Sequence, residues 1–434
     1  MSKVFNNHNG IAIGMVLTSI VILTTIIANF SFESNINKIK AYNIEDRGKA
    51  KLTAESGLQF AMARLRLYKE AYNFLQENDG AKDIVKQETL NILWNFPFIY
   101  PIPISEELNQ TQKDSIEKFQ ETSFLDGTLN LTINNISNKI NLNLIRVSLL
   151  AEQNKNEEKS AEEREKLQEF NVENQLFVLF NNILEKKREE DEDFFNRYAG
   201  IEVSELINDL KYYISDPNSV EAGTAERRFE ENELSAKQAP IQSFSELYLL
   251  PSWNDELVNI IQNEFTVHGA IMIDLNKMTD KLLKLLIPNI SDDEIKEFFK
   301  YKDDPEDPQF FNELEDFKNY IVNIGNIMSA SNFEERFQNF IKQGLQFGPT
   351  PTLFKIVSTA LKGRSTYTLT AYVVLPAKPK PRPKKETEKE PDETENRDGE
   401  KPEDDTEEPP KDETEKEKQK TLLLEPRIVE ISVS

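Results

Sequence analysis

The feature that most constrains this fold is an uncharged apolar run from Ile11 to Phe30, directly after Gly10. A helix rises ~1.5 Å per residue, so the run forms a helix ~30 Å long, which matches the thickness of a bilayer core. We therefore predict that it spans a membrane. A cleaved secretory signal fits less well than an anchor, because the exit Ala28-Asn29-Phe30-Ser31 lacks the pair of small residues that such cleavage requires.

The helical pattern continues beyond this segment. No proline occurs before Pro97, so residues 11–75 can form one helix ~95 Å long. Small residues in Ala54-Glu55-Ser56-Gly57 either permit close approach of another helix or mark a flexible point. The second half of the helix should lay an amphipathic face on a soluble domain, through residues at helical spacing: Leu58, Ala61, Met62, Leu65, Tyr68, Tyr72 and Leu75.

Composition excludes several classes of function. The chain has 76 acidic and 52 basic residues, a formal net charge of −24, which argues against nucleic acid as a partner because such binding neutralises phosphates. The absence of cysteine excludes disulfides, thiol nucleophiles and Cys-ligated zinc. The two histidines, His8 and His268, are too few for a His-rich metal site and argue against a Ser-His-Asp triad. We predict that the protein is not an enzyme.

Alternating segments predict an antiparallel sheet. Thr128–Ile133 alternates, and after the turn signal Asn134-Asn135 the segment 139–144 (KINLNL) alternates again, so we expect a hairpin. Further strands are predicted near the C-terminal end, at Phe354–Ser358, Thr366–Val374 and Leu423–Val433. Residues 378–420 are almost wholly Pro, Lys, Glu, Asp and Thr, which predicts a disordered tether between the last two strands.

Residues between these sheet segments predict an all-helical insert. Asn174–Ile183 and Ser204–Ile214 have helical spacing, and apolar residues on either side of Pro288 predict a helix–turn–helix pair. DNA binding by that pair is disfavoured because residues 291–315 are heavily acidic. Capping-box spacing occurs at Ser243…Glu246 and Ser291…Glu294.

Two phrases recur within the chain. Ile140-Asn141-Leu142-Asn143 returns as Ile273-Asp274-Leu275-Asn276, and Phe244-Ser245-Glu246-Leu247 returns as Phe311-Asn312-Glu313-Leu314. In each pair we expect a short extended piece or turn that leads into a capped helix.

Gly10 followed by an apolar helix resembles the N-terminus of type IV pilins and pseudopilins. In these families a prepilin peptidase cuts after the glycine, which implies cleavage of the Gly10–Ile11 bond here. Most members carry a glutamate at the fifth position after the cut, where it pairs with the N-terminal amine of a neighbouring subunit. In this sequence Met15 occupies that position.

The order of the recurring phrases, together with Tyr213-Ile214-Ser215-Asp216-Pro217, resembles the protein K family, the minor pseudopilins of type II secretion systems. Ser215 stands where the family has an aspartate. The resemblance implies calcium bound by Asp216, Glu221 and Glu226, and partners that include the minor pseudopilins I and J, other pseudopilins, the prepilin peptidase and the bacterial inner membrane.

The resulting expectation is an α+β fold in which a long helix packs on an antiparallel sheet that is interrupted by a large all-α insert. The expected parts are a leader (1–10), the long helix (11–75), a pilin-like domain in two pieces (76–145 and 346–434) and a helix-hairpin-helix or SAM-like insert (146–345). The expected function is that of a non-enzymatic minor pseudopilin at the tip of a periplasmic filament. The alternatives are a minor pilin of a type IV pilus and a permanently anchored periplasmic binding module.

Overall fold

The computed structural model describes residues 8–78, 80, 85, 87–106, 108–123, 125–146, 172–217, 219, 223–269, 272–287, 290–342, 345–377 and 422–433, with residues 8–12, 87, 88, 172, 175 and 342 described as backbone only. The tether predicted at 378–420 lies outside these residues.

The first element, α1, is a single helix from His8 to Glu77. Its 70 residues make it ~105 Å long, and the predicted continuous helix is confirmed. The predicted amphipathic face is confirmed as well, because all seven residues proposed for it between Leu58 and Leu75 are buried.

Within the described residues, five strands form an antiparallel sheet in the order β1-β2-β7-β8-β9. The strands are β1 (Phe98–Tyr100), β2 (Thr128–Asn135), β7 (Leu353–Lys362), β8 (Ser365–Val374) and β9 (Arg427–Val433). Strands β7 and β8 form a hairpin whose turn places Gly363 at φ 56°. The predicted pairing of the two last strands is confirmed by the β8–β9 register.

Helix α1 packs on one face of this sheet, and small residues set their separation. A Cβ on Gly57 would lie 2.3 Å from Oγ of Ser358 and 2.9 Å from Cδ1 of Leu129. Ser358 in turn donates a 2.8 Å hydrogen bond to the carbonyl oxygen of Ala54. The small residues at 54–57 therefore permit close helix–sheet contact, whereas the sequence indicated another helix or a flexible point.

Short helices connect α1 to β2: α2 (Gln87–Leu90), α3 (Ile92–Asn95) and α4 (Gln110–Thr122). The core between α1 and the sheet includes Trp94 of α3, whose ring meets Phe354 edge-on with centroids 5.2 Å apart. We call α1, these helices and the five-stranded sheet the frame.

The predicted hairpin at residues 128–144 is wrong in its second strand. β2 extends to Asn135, but β3 comprises only Ile140–Asn141 and pairs in parallel with β4 (Phe265–Thr266). The side chain of Asn141 accepts a hydrogen bond from the backbone N–H of Asn143, which turns residues 142–145 into a 3₁₀ helix. The side chains of Ile140, Leu142 and Ile145 then pack in the core of the insert.

The insert is mainly helical, but the prediction that it is all-α is wrong, because short strands such as β4 also lie within it. Its helices are α5 (Val172–Glu190), α6 (Glu192–Tyr198), α7 (Val203–Ile214), α8 (Gly223–Glu231), α9 (Asp255–Ile261), α10 (Asp280–Leu286), α11 (Asp292–Lys302), α12 (Leu314–Asn319) and α13 (Ala330–Lys342). They share one hydrophobic core, which contains Trp253. The helix–turn–helix pair is α10 and α11, and the capping box at Ser291 and Glu294 is confirmed.

The recurring Asn phrases mark a structural repeat. A second parallel pair, β5 (Ile273–Asp274) with β6 (Phe347–Gly348), corresponds to β3 with β4. The amide of Asn143 exchanges two hydrogen bonds with the backbone of Ile241, at 2.8 and 2.9 Å. Asn276 makes the same pair of bonds to Phe311, at the same distances.

These pairs of hydrogen bonds correct the alignment of the second recurring phrase. The N–H of Gln242 donates to Glu246 just as that of Asn312 donates to Asp316, both at 2.8 Å. Equivalent residues are therefore 70 apart, whereas the sequence match of Phe244 to Phe311 spaced them 67 apart. The structural repeat is therefore shifted by three residues from the sequence match. It is defined by the hydrogen bonds of Asn143 and Asn276 to the backbone, and not by the shared Phe-x-Glu-Leu motif.

Candidate functional site

The apolar part of α1, residues 11–32, is exposed wherever its side chains are described. Within the described residues, α1 is the one helix that is long and apolar enough to cross a membrane. The hydroxyls of Thr18, Thr24 and Thr25 each donate a 2.8 Å hydrogen bond to the carbonyl oxygen four residues earlier. These polar atoms are therefore satisfied within the helix, as hydrocarbon surroundings require.

The predicted processing and assembly residues lie at the start of this helix. The backbone of Gly10 and Ile11 is helical. Met15 is described with its side chain, which is 67 % exposed. No Asp, Glu, Lys or Arg occurs between Lys3 and Glu33, so the exposed apolar part of α1 has no carboxylate.

Of the three predicted calcium ligands, the structure describes Asp216 and Glu226. Asp216 follows α7 and accepts a hydrogen bond from the guanidinium of Arg146, which also donates to the carbonyl oxygen of Ile214 at 3.0 Å. Glu226 is exposed on α8, and Glu221 lies outside the described residues. The described part of the chain holds no group of three or more acidic or His side chains placed to share a metal ion. A cation at Asp216 would have to compete with Arg146, so calcium binding stays a prediction.

A polar contact that the sequence did not predict joins the insert to strand β9. Glu430 accepts a hydrogen bond from the hydroxyl of Ser243 at 2.7 Å and contacts Nε2 of His268 with its other oxygen, also at 2.7 Å. Burial raises the pKa of Glu430, but the hydrogen bonds from His268 and Ser243 outweigh burial and hold the pKa below its ordinary value. Because Ser243 donates to the carboxylate and not to His268, this arrangement connects two parts of the fold and does not activate a nucleophile.

A second such contact lies where the chain enters the insert. Asp274 of β5 is 2 % exposed, and Oδ2 accepts a 3.1 Å hydrogen bond from the side-chain amide of Asn135 at the end of β2. Burial raises the pKa of Asp274 to about 6, against the hydrogen bond from the backbone N–H of Asn276 and the nearby charge of Lys277. Tyr68 of α1 is fully buried, and its hydroxyl has no hydrogen-bond partner among the described residues.

These elements define the class: a pilin-like α+β fold, with one long N-terminal helix, an antiparallel sheet and a large helical insert. The chain is similar to a solved structure, the GspK–GspI–GspJ complex of the type 2 secretion system of enterotoxigenic Escherichia coli. The similarity covers 77 % of this chain and 94 % of that chain, at 12 % sequence identity and a TM-score of 0.46. No protein-family model and no curated protein sequence matches the chain.

Proposed function

We propose that this protein is a minor pseudopilin of a type II secretion system, inserted in the bacterial inner membrane with its folded domain in the periplasm. The observation that carries the proposal is the division of α1. Residues 13–32, near its start, are exposed, uncharged and mainly apolar, and the face from Leu58 to Leu75 is buried on an antiparallel sheet. One helix thus serves as both membrane segment and core element, so the anchor cannot be removed at the membrane exit without cutting α1.

By its resemblance to pilins, the chain would be cut between Gly10 and Ile11 by a prepilin peptidase and then extracted into a filament. Its partners would be the minor pseudopilins I and J, through α1. No catalytic role is proposed, because the described polar cluster of Ser243, His268 and Glu430 joins the insert to the frame.

Within the filament, we place the subunit at the tip. A buried charge in hydrocarbon costs at least a few kcal/mol when it is left unpaired. Because Met15 occupies the family's glutamate position, this subunit can offer its own amine to a neighbour but has no carboxylate to receive another amine. It can therefore occupy one end of a stack, where the helical insert would form a wide cap.

Two experiments test the tip position. A photo-crosslinking residue introduced within 11–30 should capture one or two minor subunits and never a second copy of this chain. Immunogold against the insert should label one end of each filament, and label along the whole shaft would overturn the proposal.

A matched pair of variants sharpens this test. Met15→Glu supplies the missing carboxylate and should allow more than one copy per filament. Val16→Glu places the same group one residue later and should not. Equal behaviour of the two variants would remove Met15 from the explanation.

A minor pilin of a type IV pilus would be processed in the same way but would belong to a pilus instead of a secretion system. Neighbouring genes for a secretin and a secretion ATPase would support the secretion assignment, and genes for pilus retraction would support a pilus. The permanently anchored binding module differs in keeping residues 1–10.

A further inference from the structure

The frame and the insert have separate hydrophobic cores, and polar groups join them. We call this contact region the joint. The chain crosses it twice, after β2 and before β7, and Ser137 ties the two crossings together. Its buried hydroxyl accepts hydrogen bonds from the backbone N–H groups of Thr352 and Leu353, at 2.8 and 2.9 Å. We infer from the position of Asp274 that the joint is a pH-sensitive contact, which tightens in mild acid and loosens as the pH rises. This inference does not depend on the proposed function.

The repeat shows that the carboxylate at Asp274 is not needed for local structure. Asn141 is its counterpart in the first unit, and both side chains accept a 3.0 Å hydrogen bond from the backbone N–H two residues later. An amide therefore caps the 3₁₀ turn as well as a carboxylate does. The carboxylate of Asp274 differs from the amide of Asn141 in that it can take up a proton. It lies at the point where β5 meets the frame.

The surroundings of Asp274 make its charge unfavourable in the closed joint. From α1 it is faced by Tyr68, from the end of β2 by Asn135, and from the insert by Lys277 and Lys302. Burial is the largest effect on its pKa, which rises from 3.8 to about 6. When the joint opens, water restores an ordinary pKa. Protonation therefore favours the closed state, and the stabilisation is present in acid and lost as the pH rises through about 6.

The contact of Glu430 is a second connection across the joint, and its charge does not change in the pH range where Asp274 takes up a proton. It is faced by Ser243 and His268 from the insert and by Tyr372 from β8, and Lys355 of β7 lies over the Tyr372 ring. The pKa of Glu430 is lowered, so its charge is retained until the pH falls below the ordinary glutamate range.

Hydrogen exchange of the full chain in detergent micelles measures the opening directly. Two backbone N–H groups bond across the joint: Asp274 to Asn138 at 3.1 Å, and Met272 to Thr352 at 3.2 Å. After correction for intrinsic exchange, the peptide that contains them should be at least about tenfold better protected at about pH 5 than at about pH 7.5. A pKa of about 6 in the closed joint gives this factor for Asp274 alone. Peptides from the middle of the β7–β8 hairpin serve as the internal reference and should show no such change.

Variants assign the effect to Asp274. Asp274→Asn, which has the same side chain as Asn141, should raise protection at about pH 7.5 and abolish the pH response. Glu430→Gln removes a charge that stays constant in this range, so it should lower protection at both pH values and keep the pH response. An equal response of joint and hairpin peptides in the wild type, or a full response retained in Asp274→Asn, would overturn the inference.

Discussion

Replacement of Gly57 by alanine should separate α1 from the sheet. The new methyl group would lie 2.3 Å from Oγ of Ser358 and within 3.2 Å of both terminal methyls of Leu129. If Ser358 rotates away, it loses its hydrogen bond to Ala54 and leaves a buried hydroxyl unpaired, which costs ~1–3 kcal/mol. Overpacking against Leu129 adds a cost of similar size. The gain in helix propensity from Gly to Ala returns only ~1 kcal/mol.

We therefore expect Gly57→Ala to lower the free energy of unfolding of the frame by ~1–5 kcal/mol. Gly48 provides a matched control on the same helix, because a Cβ there has nothing within 4 Å. Gly48→Ala should stabilise the frame by ~0.5–1 kcal/mol.

Urea unfolding followed by fluorescence can isolate the frame. Trp94 lies in the frame core and Trp253 in the insert core, so a Trp253→Phe background leaves a frame reporter. Removal of the Ser358 hydroxyl in the Gly57→Ala background should recover part of the loss, since the two residues are in contact. Equal stability of Gly57→Ala and Gly48→Ala would refute the close-contact explanation.

Three further predictions concern the tether, the insert and the calcium site. Joining Ala377 to Leu423 by Asn-Gly should keep or raise stability, because these two residues already form an antiparallel bridge. Closing a loop of about forty-five residues instead of four costs ~2 kcal/mol, which the short turn avoids. Failure of the shortened chain to fold would contradict this prediction. Arg336→Met should destabilise the insert by ~1–3 kcal/mol in urea unfolding read by Trp253, because Arg336 is buried and donates to the last carbonyls of α10, Leu285 and Leu286. Arg336→Lys should lose less, and equal losses would show that the hydrogen bonds are not the cause. Millimolar calcium should give a calorimetric heat with the full chain that Asp216→Asn abolishes, and no heat with no melting shift would end the calcium hypothesis.

Periodicity predicted the frame well because its elements obey simple spacing rules. The face from Leu58 to Leu75 repeats at helical spacing, and burial alternates along residues 354–360 of β7 and 369–374 of β8. Both patterns report burial on one side, which the fold provides. The error at residues 139–144 arose because alternation over six residues does not distinguish a strand from an Asx turn followed by a 3₁₀ helix. The signal that separates them is Asn141, whose short amide can bond to the backbone.

The joint could not be predicted because its partners are far apart in sequence. His268 and Glu430 are separated by 162 residues, and Asn135 and Asp274 by 139. The sequence offered one usable hint, the change from Asn to Asp between the two recurring phrases. The three-residue shift in the repeat could not be predicted for a related reason. The groups that Asn143 and Asn276 bind are backbone atoms, which every residue carries.

The intact mass of the protein extracted from membranes tests the central claim most directly. A pilin-like subunit of the proposed kind should have the mass of residues 11–434, with the Gly10–Ile11 bond cut and the membrane half of α1 retained. A mass that still includes residues 1–10 would contradict the account and favour a permanently anchored module.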